Sequence, residues 1–255
     1  MKLRAIQLAL CFSLLCTVCI GEDAGHYFDD LGAKLYSARN YSEALDRFNI
    51  SLDHGSRNAD AWVHKGDAQK ALRDYNASLL AYKQAISLDG RKASAYNGLS
   101  DAYSAKKDYA NASAAAEELV IINPRNKGYW LKAATLLQMM GNFSEAESRL
   151  DKALALDPNY KEALYRKALS EMAANHSDQA LELLDLVIAL DPKYKLAYNA
   201  KGQALEMQGR FDAALRAYDS ALHIDPKWSQ AMNNKMQALM AAGRQKEALD
   251  LLLRL

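Results

Sequence analysis

Cysteine is nearly absent from this 255-residue chain, because its three cysteines, Cys11, Cys16 and Cys19, all lie within the first twenty residues. If that segment is removed, the mature chain has no thiol, which excludes disulfide frameworks, thiol catalysis and cysteine metal sites together. Net charge is nearly absent as well, since 32 Lys and Arg offset 31 Asp and Glu to leave a formal charge of +1. This balance gives no electrostatic reason to expect nucleic acid or an anionic membrane surface as a partner.

The residue groupings that carry catalysis are also missing. An enzyme needs an activated nucleophile, a paired acid and base, or metal ligands at a workable spacing. The five histidines are scattered, without a second histidine or a glutamate at zincin spacing, and no Gly-rich phosphate loop occurs. We therefore expect no enzymatic activity, no cofactor and no metal site.

The N-terminal segment has the order of a secretory signal peptide. A basic start is followed by an uncharged apolar run over residues 5–20 and then by a polar stretch. We predict that residues 1–21 are the signal peptide, cleaved after Gly21, because Cys19 and Gly21 place small side chains at the two positions that need them. This predicts a secreted or extracytoplasmic protein. The alternative is an uncleaved anchor that holds the chain at the cell surface, although so short a run spans a bilayer only marginally.

The rest of the chain repeats itself every 34 residues, as shown by Pro124, Pro158, Pro192 and Pro226. A period of this length is typical of a solenoid of stacked helical hairpins. The sequence therefore predicts one elongated domain in which each repeat packs on its neighbours. The seven repeats are residues 25–58, 59–92, 93–126, 127–160, 161–194, 195–228 and the incomplete 229–255.

Residues 195–228 show why each repeat is expected to form two helices. Apolar and small residues recur at helical spacing up to Gly209, which accepts the left-handed backbone of a helix C-cap. Asp212 then has the short acceptor side chain favoured at an N-cap, so we predict that a second helix starts there. Pro226 ends that helix, because proline lacks the backbone donor and disfavours helix in the residue before it. In the fifth repeat Asn175 replaces the turn glycine and is expected to tolerate the same left-handed backbone.

These residues give the chain a resemblance to the tetratricopeptide repeat family. Lys201 and Leu205 depart from the family pattern of aromatic, Leu-Gly, Tyr, Ala, aromatic, Ala and Pro, where Leu and Tyr are usual. The resemblance covers about nine tenths of the chain and implies an all-α fold, a right-handed superhelical solenoid of antiparallel helix pairs. It also implies a non-enzymatic scaffold that mediates protein–protein interaction. The matching positions in the sixth repeat are Tyr198, Gly202, Ala214, Tyr218, Ala221 and Pro226.

The resemblance further implies a binding groove, because the first helix of each pair lines a concave surface that binds peptides or extended protein segments in this family. In the later repeats the lining positions are rich in methionine and suit an adaptable apolar partner. The alternative for each residue is that it packs within the solenoid and contacts no partner. The polar and acidic lining of repeats 1–3 is Asp29, Tyr36, Asp60, Asp67, Lys70, Asn97 and Asp101. The lining of the later repeats is Leu131, Gln138, Met139, Tyr165, Leu169, Met172, Leu196, Asn199, Met207, Asn233 and Met240.

Asn-x-Ser sequons occur more often than the about one that chance predicts, which with an export signal favours N-glycosylation at some of them. The alternative is turn chemistry, in which Asn in a hairpin turn and Ser at the following N-cap produce the pattern without a glycan. Asn40 and Asn142 fit that alternative, whereas Asn49, inside a second helix, does not. We place the other five in hairpin turns, away from the groove. The six sequons are Asn40, Asn49, Asn76, Asn111, Asn142 and Asn175.

The last repeat shows no polar cap, which the end of a solenoid usually needs. Leu249, Leu252, Leu253 and Leu255 are expected to leave an apolar stripe uncovered. Three interpretations stay open: an association surface, a fraying end and a truncated gene product. The first makes homodimerisation through the C-terminal helix the alternative to partner binding in the groove.

Overall fold

The computed structural model of the chain describes residues 24–54 and 58–252. Within those ranges the chain is helical and contains no β-strand. In the same ranges no helix combines the length and the apolar character that crossing a bilayer requires. The predicted signal peptide, its cleavage after Gly21, and Leu253 and Leu255 of the C-terminal stripe lie outside the described residues.

Each repeat contributes two consecutive helices. The first helices are α1 (residues 24–37), α3 (Ala59–Ala71), α5 (Ala93–Ala105), α7 (Lys127–Met139), α9 (Lys161–Ala173), α11 (Lys195–Met207) and α13 (Ser229–Ala241). The second helices are α2 (Tyr41–Asp53), α4 (Tyr75–Leu88), α6 (Tyr109–Ile122), α8 (Phe143–Leu156), α10 (Ser177–Leu190), α12 (Phe211–Ile224) and α14 (Gln245–Leu252). From the second repeat on, every first helix starts at a predicted repeat boundary, so the predicted all-α fold of helix pairs is confirmed.

The described residues group into two compact units that divide between Asn123 and Pro124. The N-terminal unit contains α1–α6 and the C-terminal unit contains α7–α14. Within each unit, packing between neighbouring helices builds several local cores, as expected for repeats. The single elongated domain stays a prediction. One core cluster of the N-terminal unit joins α3–α6, and two of the C-terminal unit, the α8–α11 cluster and the α11–α14 cluster, join those helices.

Buried aromatic rings join the helices at positions where the facing residue is glycine. Tyr82 on α4 is fully buried. A β-carbon built on Gly66 of α3 would lie 2.7 Å from Tyr82 Cε1, and one on Gly98 of α5 would lie 2.3 Å from its Cζ. One ring therefore holds the second and third repeats together, and only glycine leaves room for it on both sides.

One residue in each turn between the helices of a pair adopts the left-handed backbone. Gly209 at φ +70° confirms the predicted stop of α11, and Asn175 at φ +64° confirms that asparagine replaces glycine in the fifth repeat. Arg39, Arg73 and Lys107 adopt the same conformation in repeats 1–3, at φ values of 62°, 64° and 62°. The packing of the helix pair therefore imposes this turn even where the residue type disfavours it.

The start of α12 differs from the prediction. The helix begins at Phe211 with Arg210 as its N-cap, and Asp212 lies in the first turn. Arg210 N–H donates to Leu205 O at 2.9 Å, so Arg210 closes the turn and leaves no room for a later N-cap. The prediction that Asp212 caps α12 is therefore wrong. Its carboxylate instead lies near the positive end of the helix dipole, where it is stabilised.

Candidate functional site

The first helices of successive repeats contact each other inside each unit. α3 contacts α5 in the N-terminal unit, and α9 contacts both α7 and α11 in the C-terminal unit, where α11 also contacts α13. Among the described helices, the second helices of successive repeats make no such contact. The first helices therefore form the more closely spaced side of each unit, which we call the first-helix face.

Three predicted lining residues of the N-terminal unit form ion pairs with one another. Lys70 Nζ lies 3.4 Å from Asp67 Oδ1 and 3.5 Å from Asp101 Oδ2. Tyr82 OH donates a hydrogen bond to Asp67 Oδ1 at 2.7 Å. Burial and then the Asp67 carboxylate raise the pKa of Tyr82 far above its ordinary value, so the phenol stays protonated and continues to donate. The structure thus brings Asp67, Lys70 and Asp101 together in one network, in which a single ammonium group lies between two carboxylates.

Two further acidic residues of this unit are also paired. Asp60 Oδ1 lies 2.6 Å from Lys92 Nζ. Asp29 is buried on α1, and its two carboxylate oxygens lie 3.0 and 3.1 Å from His64 Nδ1 on α3. This hydrogen bond raises the pKa of His64 although burial opposes it. The remaining predicted residues of this unit are Tyr36 and Asn97, both half-buried.

Three predicted methionines on first helices of the C-terminal unit are exposed. Met139 on α7 is 50% exposed, Met207 on α11 is 45% exposed and Met240 on α13 is 60% exposed. Each lies in the last turn of its first helix. Exposed thioether side chains are flexible and polarisable, so they adapt to an irregular apolar surface. We call these three residues the methionine face.

The other apolar lining residues of the C-terminal unit are packed against the repeats. Leu131 packs against a core cluster of α7–α9. Tyr165, Leu169 and Met172 pack against the α8–α11 cluster. The Tyr165 ring meets the Tyr194 ring edge-on, with 5.5 Å between their centroids. These side chains stabilise the repeats, and a role for them in partner binding stays a prediction.

Two polar lining residues connect successive first helices. Gln138 Nε2 on α7 donates to Arg166 O and Ser170 Oγ on α9, both at 2.7 Å. Asn199 on α11 is 4% exposed, and its Oδ1 accepts from Asn234 Nδ2 on α13 at 2.9 Å. A hydrogen bond buried in this way fixes the register of the two helices. The remaining predicted residues of this unit are Leu196, half-buried, and Asn233, exposed.

A first series of lysine–aspartate pairs, which we did not predict, recurs every 34 residues in the C-terminal unit. Each pair joins the first residue of a first helix to the C-cap of the second helix in the same repeat. The lysine Nζ also lies 4.5 to 5.4 Å from the centroid of an aromatic ring that precedes the next first helix, a cation–π contact. Hydrogen bonding to lysine lowers the pKa of all three aspartates. The groups are Lys127–Asp157–Tyr160, Lys161–Asp191–Tyr194 and Lys195–Asp225–Trp228.

A second series joins each first helix to the second helix of the preceding repeat. Its pairs are Lys167–Asp151, Lys201–Asp185 and Lys235–Asp219. The signal for both series was present in the sequence, because lysine and aspartate recur there at the 34-residue period. Each exposed ion pair of this kind adds little to the free energy of unfolding. We infer that the pairs act mainly by fixing how neighbouring repeats stack.

Turn chemistry does not explain the sequons at Asn40 and Asn142. Both residues are N-caps, of α2 and α8, yet neither side chain makes a cap hydrogen bond within the described part of the chain. Asn58 and Asn126 do make such bonds at the N-caps of α3 and α7. The serine of each sequon lies inside the helix and not at the N-cap, so that part of the prediction is wrong.

The other sequons differ in setting. Asn175 lies in the left-handed turn before α10. Asn76 and Asn111, which we placed in hairpin turns, lie in the first turns of α4 and α6, because these helices begin at the tyrosines before them. Asn49 lies inside α2, as predicted. Three sequons therefore lie in turns and three in helices.

Comparison with known proteins identifies the repeats. Models of the tetratricopeptide repeat match residues 59–91 and 93–126, and in overlapping pairs residues 131–194, 165–228 and 199–255. These matches cover most of the chain. No curated protein matches the sequence.

Solved structures share the fold at low sequence identity. A tetratricopeptide repeat protein from Parabacteroides merdae aligns with a TM-score of 0.78 and 14% identity over 91% of this chain and 92% of that chain. Pseudomonas aeruginosa pilF aligns with a TM-score of 0.68 and 15% identity over 85% of this chain and 99% of that one. YrrB, described as a TPR protein with an unusual peptide-binding site, aligns with a TM-score of 0.60 and 22% identity over 74% of this chain and 97% of that one. With the repeat matches and the helix pairs, these likenesses show that the chain belongs to the tetratricopeptide repeat family.

Proposed function

We propose that this chain is an exported scaffold that binds a segment of another protein on the methionine face of its C-terminal unit. Proteins of this family are generally non-enzymatic interaction scaffolds. The observation that carries the proposal is the exposure of Met139, Met207 and Met240 in the last turns of three first helices. Export is supported by the basic start and apolar run of residues 1–21.

The first-helix face of the N-terminal unit is the weaker candidate. Lys70 lies between Asp67 and Asp101, and Lys92 pairs with Asp60. A charged partner would have to displace these internal pairs and desolvate the groups, which offsets what the new contacts contribute. The methionines have no such internal bonds to replace, because their exposed surface is apolar.

The spacing of the methionine face defines what fits on it. Packed helices lie about 8–10 Å apart, so α7 and α11, separated by α9, are about 16–20 Å apart. An extended chain rises about 3.3 Å per residue, which places two apolar anchors about five or six residues apart for Met139 and Met207. Met240, one helix further along, calls for a third anchor about three residues beyond. We therefore expect an extended segment with apolar residues at these spacings.

The test compares the partner affinity of two variants of the full chain. In the methionine variant, Met139, Met207 and Met240 are all replaced with Asp, and the other variant is a matched control. The control carries Leu156→Asp, Leu186→Asp and Leu190→Asp, which change exposed apolar residues on the second helices α8 and α10. The partner is first cross-linked to the unmodified chain in the exported fraction, and the cross-linked segment is then titrated as a peptide. We expect at least tenfold weaker binding by the methionine variant and unchanged binding by the leucine variant, with both retaining their helical circular dichroism. Equal affinity for the two variants would rule out the methionine face.

A second candidate function is self-association through α14. Leu249 and Leu252 are exposed there and, three residues apart, lie on one side of the helix. Ala248 is buried and Leu251 packs against the α11–α14 cluster, so the adjoining side of the helix is already covered. Sedimentation of the chain and of its Leu252→Asp variant decides this. A dimer that dissociates in the variant supports self-association, and a monomer in both rejects it.

A further inference from the structure

We propose that N-linked glycans occupy three of the six sequons, at Asn40, Asn142 and Asn175, and that the other three stay unmodified. The inference rests on the export proposed above and is independent of partner binding. It concerns which asparagines of the folded chain a glycosyltransferase can reach, which the sequence alone does not decide.

The sequon serine separates the six sites into two groups. Recognition of a sequon depends on the hydroxyl of its third residue as well as on the asparagine amide. That hydroxyl belongs to an exposed or half-buried serine in three sequons: Ser42, Ser144 and Ser177. It belongs to a buried serine in the other three: Ser51, Ser78 and Ser113. An accessible serine therefore follows only Asn40, Asn142 and Asn175. Of these serines, the Ser177 hydroxyl accepts a hydrogen bond from Gln208 Nε2 at 2.9 Å, which leaves its own proton free to donate.

Neighbouring contacts strengthen this division at the sequons whose serine is buried. Asn111 Nδ2, the atom that would carry the sugar, donates to Asp108 Oδ2 at 2.7 Å. Asn76 Oδ1 accepts from Lys106 Nζ at 2.5 Å, and the hydroxyl of Ser78 donates to Tyr75 O at 2.9 Å. These sequons also lie in helices, where a residue and the one two positions after it point to different sides of the helix. The asparagine and the serine of each sequon therefore do not face the same way.

Two of the three accessible asparagines make no capping contact with the part of the chain that the structure describes. Asn40 and Asn142 make no side-chain cap bond within the described residues. The left-handed turn position of Asn175 is filled in other repeats by Arg73, Lys107 or Gly209. No capping bond among the described residues explains the asparagines at positions 40 and 142, whereas Asn175 also suits its left-handed backbone, so at positions 40 and 142 the sequon is the feature that asparagine provides.

The three sites lie in corresponding turns of the first, fourth and fifth repeats. Each turn joins the first helix of a repeat to its second helix, so the sugars would line one edge of the repeats to which they belong. Asn142 follows Met139 by three residues. A glycan there would therefore border the methionine face and limit the directions from which a partner reaches it.

The modification is a transfer from a lipid-linked saccharide. The bond between the anomeric carbon and the phosphate oxygen of the donor breaks, and the anomeric carbon bonds to asparagine Nδ2. One amide proton leaves, and the lipid phosphate is released as the leaving group. No oxidant or reductant is needed.

The test is glycopeptide mass spectrometry of the full chain recovered from its source cells after fractionation. We expect added saccharide mass on peptides that contain Asn40, Asn142 and Asn175. Asn40→Gln, Asn142→Gln and Asn175→Gln should each remove one increment from the intact mass. The matched control, Asn49→Gln, alters a sequon with a buried serine and should leave the intact mass unchanged apart from the substitution.

The outcomes separate this inference from the proposed function. A chain in the exported fraction with unmodified Asn40, Asn142 and Asn175 overturns the glycan assignment and leaves export standing. Occupancy at Asn49 equal to that at Asn40 overturns the selection by serine burial. A chain retained in the cell without glycans overturns both export and modification. In a chain glycosylated as expected, equal partner affinity for the methionine variant and the leucine variant contradicts the methionine face alone.

Discussion

The ring of Tyr218 occupies the space beside Gly202, where a β-carbon would lie 2.4 Å from its Cε1 and 2.6 Å from its Cζ. Tyr218 is fully buried, and its hydroxyl donates to the Glu206 carboxylate. Burial raises the pKa of Tyr218, so the phenol remains a donor. The ring packs on Gly202 and its hydroxyl is bonded to Glu206, so it has no room to move away from α11. Gly202 and Tyr218 therefore depend on each other for packing.

Substitution of Gly202 by alanine should destabilise the C-terminal unit. Overpacking a tight contact costs about 1–3 kcal/mol, whereas alanine gains only about 1 kcal/mol over glycine in a helix interior. We therefore expect the free energy of unfolding to fall by up to about 2 kcal/mol. Urea denaturation followed by circular dichroism measures it. The matched control is Gly90→Ala, at an exposed turn with no heavy atom closer than 4.0 Å to the new β-carbon, where a change of similar size would contradict the packing explanation.

The left-handed turns predict opposite effects for two reciprocal substitutions. Lys107 adopts φ +62° and Gly209 adopts φ +70°. Left-handed backbone costs a non-glycine residue about 1–2 kcal/mol. Replacing that residue with glycine removes this cost, but it also stabilises the unfolded chain by giving it more conformational freedom, which offsets part of the gain. Lys107→Gly should therefore stabilise its unit by about 0.5–1 kcal/mol and Gly209→Ala should destabilise its own by about 1 kcal/mol. Thermal unfolding of both variants checks this, and shifts of the same sign would contradict it.

The His64–Asp29 contact predicts that α1 docks more firmly in acid. The hydrogen bond to Asp29 is the largest cause of the raised His64 pKa, followed after burial by the charges of Asp29, Asp60 and Asp67. Because the folded pKa lies above the ordinary value of about 6.5, this stabilisation is fully present below pH about 6.5 and is lost as pH rises through the folded pKa. Hydrogen exchange of α1 amides, corrected for the intrinsic rate, should show less protection at pH 8 than at pH 6. Asp29→Asn should abolish that difference, and an unchanged difference in this variant would assign the effect to another group.

The sequence predicts the helices better than it predicts which side chains are free. The 34-residue period places the starts of the first helices from Ala59 onward at their observed positions, because each repeat carries its own stop and start signals. It does not distinguish Met172 from Met207, since both occupy lining positions and both are methionine. Met172 packs against the α8–α11 cluster while Met207 stays exposed. The difference is made by neighbouring helices, whose side chains are distant in sequence.

The same limit applies to polar residues and to turns. Asn199 has the character of a ligand-binding amide, but Asn234 of the next repeat donates to it at 2.9 Å. Asp212 has the right side chain for an N-cap, but the turn closes two residues earlier at Arg210. Residue type gives the chemistry that a side chain offers, and only the packing of the adjacent repeat decides whether a partner or the fold itself uses it.

Methyl NMR of the full chain, labelled at the methionine Cε positions, tests the binding role of the methionine face most directly. The cross-linked partner segment is titrated as a peptide, with Met236, packed in the α11–α14 cluster, as the internal reference. The predicted result is a saturable shift of the Met139, Met207 and Met240 signals with Met236 unmoved. Saturation of binding with these three signals unchanged would contradict the proposed site.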